Sequence, residues 1–198
     1  MEKFLNFPLK ESPDPTRYYH ETNLFTSDEM DWILDNHNDV PYETATISAD
    51  KNVENSIRKS RIKWLRYDRY PQFDWLYERL QQAIIKANNS LWHFDLYSMP
   101  EHIQYTEYNE GGGHYDWHMD MGDRYLSMRK VSVTMQLSHP NEYEGGDLQF
   151  MRSQDIETAP RDFGSLIIFP SYLLHRVTSV TKGTRKSLVL WSGGVPFK

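Results

Sequence analysis

The sequence predicts a mainly β protein of the sandwich or jelly-roll kind, with supporting helices ahead of the β core. From about residue 104 onward, seven short β-rich runs follow one another between turn residues. Seven short strands in fewer than one hundred residues favour a sandwich over βαβ units. All ten glycines lie between Gly111 and Gly194, so the first 110 residues differ in kind from the rest.

The composition limits the classes of function. At 198 residues the chain fits a single domain, 1–198. Twenty-two basic against 28 acidic residues give a net charge of −6, so neither a nucleic acid nor an anionic membrane surface is an expected partner. The absence of Cys excludes disulfides, zinc-thiolate sites and thiol nucleophiles, so any metal must be held by His and carboxylates. Without a secretory apolar stretch or a membrane-length apolar run, we expect a cytoplasmic protein.

Two helices are predicted in the first half of the chain. Thr26 followed by Glu29 has the spacing of a capping box, which predicts a short helix near 27–38. The second helix is predicted near 72–89, where apolar residues recur in one helical stripe: Phe73, Leu76, Tyr77, Leu80, Ala83, Ile84 and Ala87. Three prolines among the first 15 residues predict an extended arm at the start.

A basic segment follows the first helix. Residues 58–69 hold six of the 22 basic side chains: Arg58, Lys59, Arg61, Lys63, Arg66 and Arg69. A solvated strand face with Ile62 and Trp64 pointing inward is the simpler interpretation, and an edge that faces the substrate through Arg58 or Arg61 is the alternative. Just before it, the polar segment 44–60 has no apolar periodicity and predicts a substrate loop that closes over the site.

The predicted strands contain the candidate metal ligands. They are the runs QYTEY, YDWHMD, KVSVTMQLS, DLQFM, SLIIF, HRVTSV and KSLVLW. His118 and Asp120 are two residues apart on one of them, so both side chains point to one face. His175 opens another strand and could add a third ligand. Two His and one carboxylate form the facial triad that leaves open positions on non-haem Fe(II). His114 and Asp116 form a second HxD of the same parity, and spacing alone does not choose between the pairs.

Arg185 adds a second constraint. It lies ten residues after His175, with matching parity, in the predicted strand that ends at Trp191. An Arg at a core-facing position is costly unless it meets an anion, and its planar fork suits a carboxylate. The alternative is an edge Arg in water or paired with an acid. Next to the HxD and the distal His, Arg185 favours a cosubstrate that carries a carboxylate.

From His118 to Trp191 the sequence resembles the iron and 2-oxoglutarate dependent dioxygenases, in particular the prolyl 4-hydroxylase-like branch that includes the bacterial PKHD-type hydroxylases. The family pattern of HxD, distal His and a basic residue about ten positions later is matched in order and spacing by His118, Asp120, His175 and Arg185. The runs VSVTMQLSHPNEYEGGDLQF and SLIIFPSYLLHRVTSVTKGTRKSLVLW are similar to the family's central strand with its EGG turn and to its distal-histidine block.

The resemblance implies a fold and a set of cofactors. The fold is a double-stranded β-helix core (jelly roll, cupin-like) over 104–195. Residues 1–103 supply the N-terminal arm, the supporting helical layer and the substrate-side strands. The implied cofactors are Fe(II), 2-oxoglutarate and O2, with ascorbate as reductant and L-ascorbic acid binding.

The resemblance also assigns two tyrosines. Tyr108, ten residues before His118, corresponds to a family tyrosine that hydrogen-bonds the far carboxylate of 2-oxoglutarate. Arg185 is expected to bind the same carboxylate. Tyr115, three residues before His118, corresponds to a pocket position. The same offsets from His114 fall on a Gln and a Gly, so the resemblance selects His118 and Asp120 as the HxD ligands. One departure is Gln136, which stands where several animal members carry another 2-oxoglutarate-contacting Tyr.

The implied activity is that of an oxidoreductase. Such a dioxygenase hydroxylates an unactivated C–H bond, expected here in a prolyl residue of a peptide or protein, and releases succinate and CO2. The expected substrate pocket is formed by Tyr115, Arg58, Arg61 and Trp191.

Three alternatives are weighed against this activity. The first two are the same chemistry on a free amino acid or other small molecule, and a non-catalytic jelly-roll module that binds a sugar or small acid. The third, a methylated nucleic-acid base as substrate, is disfavoured by the charge of −6. It is also disfavoured by Trp191, which occupies the position of a second Arg in the repair branch.

Overall fold

The computed structural model describes residues 18–44 and 57–195. The predicted extended arm and most of the predicted substrate loop, residues 45–56, lie outside the described residues. In chain order the helices and strands are β1 (Tyr19–Glu21), α1 (Ser27–Asp35), β2 (Glu43–Thr44), β3 (Arg58–Lys59), β4 (Arg61–Leu65), α2 (Asp74–Leu91), β5 (Leu96–Ser98), β6 (Ile103–Asn109), β7 (Gly113–His118), β8 (Arg129–Gln136), β9 (Tyr143–Gly145), β10 (Leu148–Arg152), β11 (Asp155–Thr158), β12 (Leu166–Pro170) and β13 (His175–Gly194). Short 3-10 helices cover Pro71–Phe73 and Arg124–Met128.

Local signals set the ends of α1. The Thr26 hydroxyl accepts a hydrogen bond from the backbone N–H of Glu29, and the Glu29 carboxylate accepts one from the backbone N–H of Thr26, which is the predicted capping box. The helix ends at Asp35, before the predicted end near 38, because the Asn36 side chain donates to the Trp32 carbonyl at 2.8 Å and satisfies it locally.

A side chain also ends α2. The amide of Asn88 bonds both the backbone N–H and the carbonyl of Phe94, each at 2.9 Å, and turns the chain back on the helix end. His93 adopts a positive φ of 54° in this turn. The predicted apolar stripe of the helix is buried throughout. Neither described helix is long and apolar enough to cross a membrane.

The strands form two antiparallel sheets that share β13. The second half of this 20-residue strand lies in the larger sheet, whose order is β1-β12-β8-β13-β6-β4-β2. Its first half lies in the smaller sheet, between β7 on one side and β9 and β10 on the other. The edges of the smaller sheet are formed by β3 and β11. This arrangement confirms the predicted jelly-roll class with its supporting helices.

Side chains alternate between the two faces of the larger sheet, and each face borders a different interior space. Along β13, Leu188 and Leu190 point outward and are buried in the main apolar core under α1 and α2. Ser187, Val189 and Trp191 point to the other side and line a cavity between the two sheets. The helices therefore close the outer face of the larger sheet and leave its inner face for the site.

The prediction of two separate strands, HRVTSV and KSLVLW, is wrong, because Gly183 lets one strand cross from one sheet to the other. Gly183 pairs with Tyr143 of β9, and the next residue, Thr184, pairs with Asn109 of β6. The φ of Gly183 is +71°, and a Cβ at this position would lie 2.0 Å from the carbonyl oxygen of Glu142. Only Gly fits this crossover.

Replacing Gly183 with Ala is therefore expected to destabilise the fold. The strained backbone alone costs about 1 to 3 kcal/mol, and the clash with the Glu142 carbonyl adds to it. The matched control is Gly112→Ala, which has a similar φ of +95° but open space around its Cβ. Urea unfolding should show a larger loss for Gly183→Ala than for Gly112→Ala. Equal losses would mean that the close approach has no energetic consequence.

Candidate metal centre and cosubstrate cavity

Three side chains that could bind a metal converge between the sheets. His118 ends β7, His175 begins β13, and the two residues face each other in the register of these strands. Asp120 follows β7 by two residues. The Nε2 atom of His118 lies 3.7 Å from one carboxylate oxygen of Asp120, and the Nε2 atom of His175 lies 3.6 Å from the other. The candidate ligand atoms all lie within 4.8 Å of one another. This set has the composition of a facial triad.

Backbone carbonyls orient both imidazoles. The Nδ1 atom of His118 lies 2.7 Å from the Asp116 carbonyl, and the Nδ1 atom of His175 lies 2.8 Å from the Leu173 carbonyl. A carbonyl can only accept, so each Nδ1 carries the proton and donates it. Each Nε2 therefore presents its lone pair to the common centre, as a metal ligand must.

The electrostatics of the cluster also fit a cation. Burial and the neighbouring His175 lower the pKa of His118 to about 3. Burial alone would raise the pKa of Asp120, but His175, His118 and Arg129 outweigh it and lower this pKa to about 2. At neutral pH the site presents a neutral His118 and an ionised Asp120, which is the state that a divalent metal requires.

A bulge in β7 separates the two HxD pairs. Between Tyr115 and His118 the strand advances three residues, while β13 advances only two, from Val177 to His175. Side chains before the bulge therefore change face relative to those after it. The equal parity expected for His114 and Asp116 is wrong for this reason. Asp116 is exposed, and its carboxylate accepts a hydrogen bond from the Trp117 backbone N–H.

Arg185 is buried on the inner face of the larger sheet, with 1% of its surface exposed. Its Nη1 donates to the Ser187 hydroxyl at 3.3 Å, and its guanidinium lies 5.5 Å from the ring centre of Tyr108. Within the part of the chain that the structure describes, its Nε and Nη2 have no hydrogen-bond partner. A buried cation with unsatisfied donors is costly, so these donors fit an anionic ligand that enters the cavity.

Arg185 and the three candidate ligands line the same cavity. Trp191 also lines it, and the indole N–H of Trp191 has no acceptor among the described residues. Phe169 packs edge-on against His175, with ring centres 4.7 Å apart. The cavity thus combines apolar walls, a cluster of metal-ligating atoms and cationic donors that no described residue bonds, as a cofactor site does.

Two further predicted pocket residues also lie in this cavity. The ring of Tyr115 stacks on His118 with ring centres 3.4 Å apart. The guanidinium of Arg58 lies over the Tyr115 ring, 4.7 Å from the ring centre. Nη2 of Arg58 donates to the side-chain oxygen of Gln104 at 2.9 Å.

The prediction of a solvated strand face is wrong for two of the basic residues. Arg58 is buried in the cavity wall, and Lys63 is buried on the opposite face of the sheet, where its ammonium donates to the His37 carbonyl at 3.0 Å. Of the two residues expected to point inward, Ile62 is buried and Trp64 is half-buried. The polar partners lie far away in sequence, so the local pattern could not reveal them.

Arg61 and Gln136 lie outside the cavity lining. Arg61 is on the face of β4 turned away from the cavity, half-exposed, and its guanidinium pairs with Glu107 at 2.5 Å. This position does not support the predicted contact of Arg61 with a substrate. Gln136 is buried on β8 opposite Ser187, and its side-chain oxygen has no donor among the described residues.

Arg129 and Glu101 were not predicted to be site residues. The Arg129 side chain donates to the backbone carbonyl of Asp120 at 3.2 Å and forms a two-pronged ion pair with Glu101. Glu101 lies 28 residues before Arg129, ahead of β6. Neither residue belongs to a motif with characteristic spacing, so no sequence signal pointed to them.

The chain is similar in sequence to known oxygenases and hydroxylases. The family model of the 2OG-Fe(II) oxygenase superfamily matches residues 103–193. A PKHD-type hydroxylase from Hyphomonas neptunium is 35% identical over 107 residues, which are 50% of this chain and 47% of that protein. A PKHD-type hydroxylase from Synechococcus is 40% identical over 86 residues, 41% of this chain and 38% of that protein. The match therefore spans about half, or less, of the length of each of these relatives.

Solved structures share the fold. A prolyl hydroxylase from Trichoplax adhaerens, solved with a peptide fragment of the hypoxia inducible factor oxygen degradation domain, has a TM-score of 0.75 and 18% identity, and the match covers 89% of this chain and 83% of that one. A prolyl-4-hydroxylase from Pseudomonas putida has a TM-score of 0.68 and 18% identity, covering 91% and 94%. Residues 103–193 are therefore similar in sequence to the 2OG-Fe(II) oxygenase superfamily, the chain is similar over part of its length to PKHD-type hydroxylases, and its fold is that of solved prolyl hydroxylases.

Proposed function

We propose that this protein is a non-haem Fe(II)- and 2-oxoglutarate-dependent dioxygenase that hydroxylates an unactivated C–H bond of a prolyl residue in a peptide or protein. One oxygen atom enters the substrate, the other enters succinate, and 2-oxoglutarate also loses CO2. The proposal rests on one observation above all. His118, Asp120 and His175 open into a single cavity together with the two Arg185 nitrogens that no described residue bonds.

Each of these residues has a distinct role in the proposal. His118, Asp120 and His175 would hold Fe(II), which would keep open positions for the cosubstrate and O2. When bound, the iron supplies the oxidative chemistry that side chains cannot perform. Arg185 would bind the far carboxylate of 2-oxoglutarate through Nε and Nη2, which have no partner among the described residues, beside Tyr108. The buried apolar walls exclude water from the reacting atoms.

A prolyl substrate is favoured by the kind of relatives that the chain matches. The Trichoplax adhaerens prolyl hydroxylase was solved with a peptide fragment bound, and it has the same fold. In this chain, Tyr115, Arg58 and Trp191 line the cavity and offer aromatic surface and one cation to an incoming peptide. We propose these three as substrate residues, and ascorbate as the reductant that restores Fe(II) after uncoupled turnovers.

Mass spectrometry tests the substrate class. The protein is incubated with Fe(II), 2-oxoglutarate, ascorbate and a library of proline-containing peptides, and the controls are the same peptides with Ala in place of Pro. We expect a mass increase of one oxygen atom at Pro, with at least an equal amount of succinate. Oxygen transfer to free amino acids alone would contradict the peptide assignment but keep the chemistry. Succinate formation that does not change when ascorbate is left out would contradict the role of ascorbate.

A further inference from the structure

Arg129 links the candidate metal site to a wall of the cavity. It begins β8, and its side chain is largely buried, with 11% exposed. Its Nε donates to one carboxylate oxygen of Glu101 at 2.5 Å, and its Nη2 donates to the other. Two parallel bonds of this kind fix the plane of the guanidinium. The Arg129 side chain is therefore held in one orientation before any ligand binds.

The fixed guanidinium makes two further contacts. Nη1 donates to the backbone carbonyl of Asp120 at 3.2 Å, and the guanidinium carbon lies 3.9 Å from the ring centre of Trp191. Asp120 is a candidate metal ligand on a segment with no regular secondary structure, whereas His118 and His175 lie on paired strands. Of the three, Asp120 has the greatest need for a tether. Besides Arg129, the segment is tied by the Met121 N–H, which donates to the Ser171 carbonyl.

We infer that Arg129, clamped by Glu101, is a positioning residue that fixes the metal-binding carboxylate of Asp120 and the indole of Trp191 relative to each other. This inference rests on the proposed metal site. Arg129 acts on the site through the Asp120 backbone and needs no contact with the metal. Because the Arg129 side chain contacts both the Asp120 backbone and the Trp191 ring, loss of its guanidinium should make both less firmly positioned.

The test measures metal affinity and leaves catalysis aside. Mn(II) is titrated into the protein without 2-oxoglutarate, and bound metal is followed by electron paramagnetic resonance. Removal of a side chain that orients a metal ligand weakens metal binding about 10- to 100-fold. We expect a loss in this range for Arg129→Met, a smaller loss for Glu101→Gln, and partial recovery in Arg129→Lys, which keeps the charge but not the fork.

Arg79 provides a matched control. It also forms a two-pronged pair with a glutamate, Glu29, donates to a backbone carbonyl, that of Leu24, and lies near a Trp ring, 5.7 Å from the centre of Trp75. None of these residues lines the cavity. Arg79→Met should lose stability but keep the Mn(II) affinity of the unchanged protein.

A double variant separates positioning from general stability. If Arg129 acts through the clamp, Glu101→Gln should add little to the loss already caused by Arg129→Met, because the two changes remove one link. Mn(II) affinity within about twofold of the unchanged protein in Arg129→Met would overturn the inference. If that variant does not fold, the same result in Glu101→Gln would overturn it. An unchanged protein that binds no Mn(II) would instead overturn the proposed function, and this inference with it.

Discussion

Arg185→Ala is expected to weaken 2-oxoglutarate binding by at least about tenfold and by up to several thousandfold. Truncating one partner of a buried, hydrogen-bonded charge pair costs about 2 to 5 kcal/mol, and each 1.4 kcal/mol is about tenfold in affinity. Arg185 is buried, and its Nε and Nη2 are available because no described residue bonds them. Metal binding should survive, since Arg185 is not in the cluster of candidate ligands.

The measurement is the rate of succinate formation against the concentration of 2-oxoglutarate. Arg185→Lys should recover part of the affinity, because a point charge still neutralises the carboxylate but lacks the planar fork. Arg61→Ala is the control, since Arg61 pairs with Glu107 away from the cavity. A dependence on 2-oxoglutarate in Arg185→Ala that matches that of the unchanged protein would remove Arg185 from the cosubstrate site.

The second large effect is expected from loss of the candidate metal ligands. His118→Ala, Asp120→Ala or His175→Ala should each abolish binding of Fe(II) and reduce succinate formation to background. The chain has no Cys, and among the described residues the cluster contains no fourth His or carboxylate to replace a lost ligand.

His114→Ala is the matched control for these variants. His114 belongs to the other HxD, on the same strand, but lies on the far side of the β7 bulge. It should keep Fe(II) binding, measured by anaerobic titration. If His114→Ala loses the metal while His118→Ala keeps it, the assignment of the HxD ligands is reversed. Circular dichroism of each variant distinguishes ligand loss from a folding defect.

Features with local causes could be predicted from the sequence. The capping box at Thr26 and Glu29 uses contacts between residues three apart, and the apolar stripe of α2 repeats at the helical period. The family resemblance placed His118, Asp120, His175 and Arg185 as candidate site residues, and the structure brings all four to one cavity.

Features that depend on pairing between distant segments could not be predicted. The β7 bulge arises from the pairing of β7 with β13. It places His114 and Asp116 on a different face from the one that regular alternation along the strand predicts. Arg58 and Lys63 are far in the sequence from their hydrogen-bond partners, Gln104 and His37. Because these contacts are not local, the run of basic residues was mistaken for a solvated strand face. The clamp of Glu101 on Arg129 is likewise a contact across 28 residues.

The most direct test of the proposed chemistry is a spectrum. Under anaerobic conditions, Fe(II) is added to the purified protein, followed by 2-oxoglutarate, and the visible region is recorded after each addition. Chelation of a 2-oxo acid by protein-bound Fe(II) gives a metal-to-ligand charge-transfer band. We expect this band only with both additions, weakened at low 2-oxoglutarate in Arg185→Ala and absent in His175→Ala. No band in the unchanged protein at saturating Fe(II) and 2-oxoglutarate, with no succinate after O2 is admitted, would contradict the assignment and favour a non-catalytic binding module.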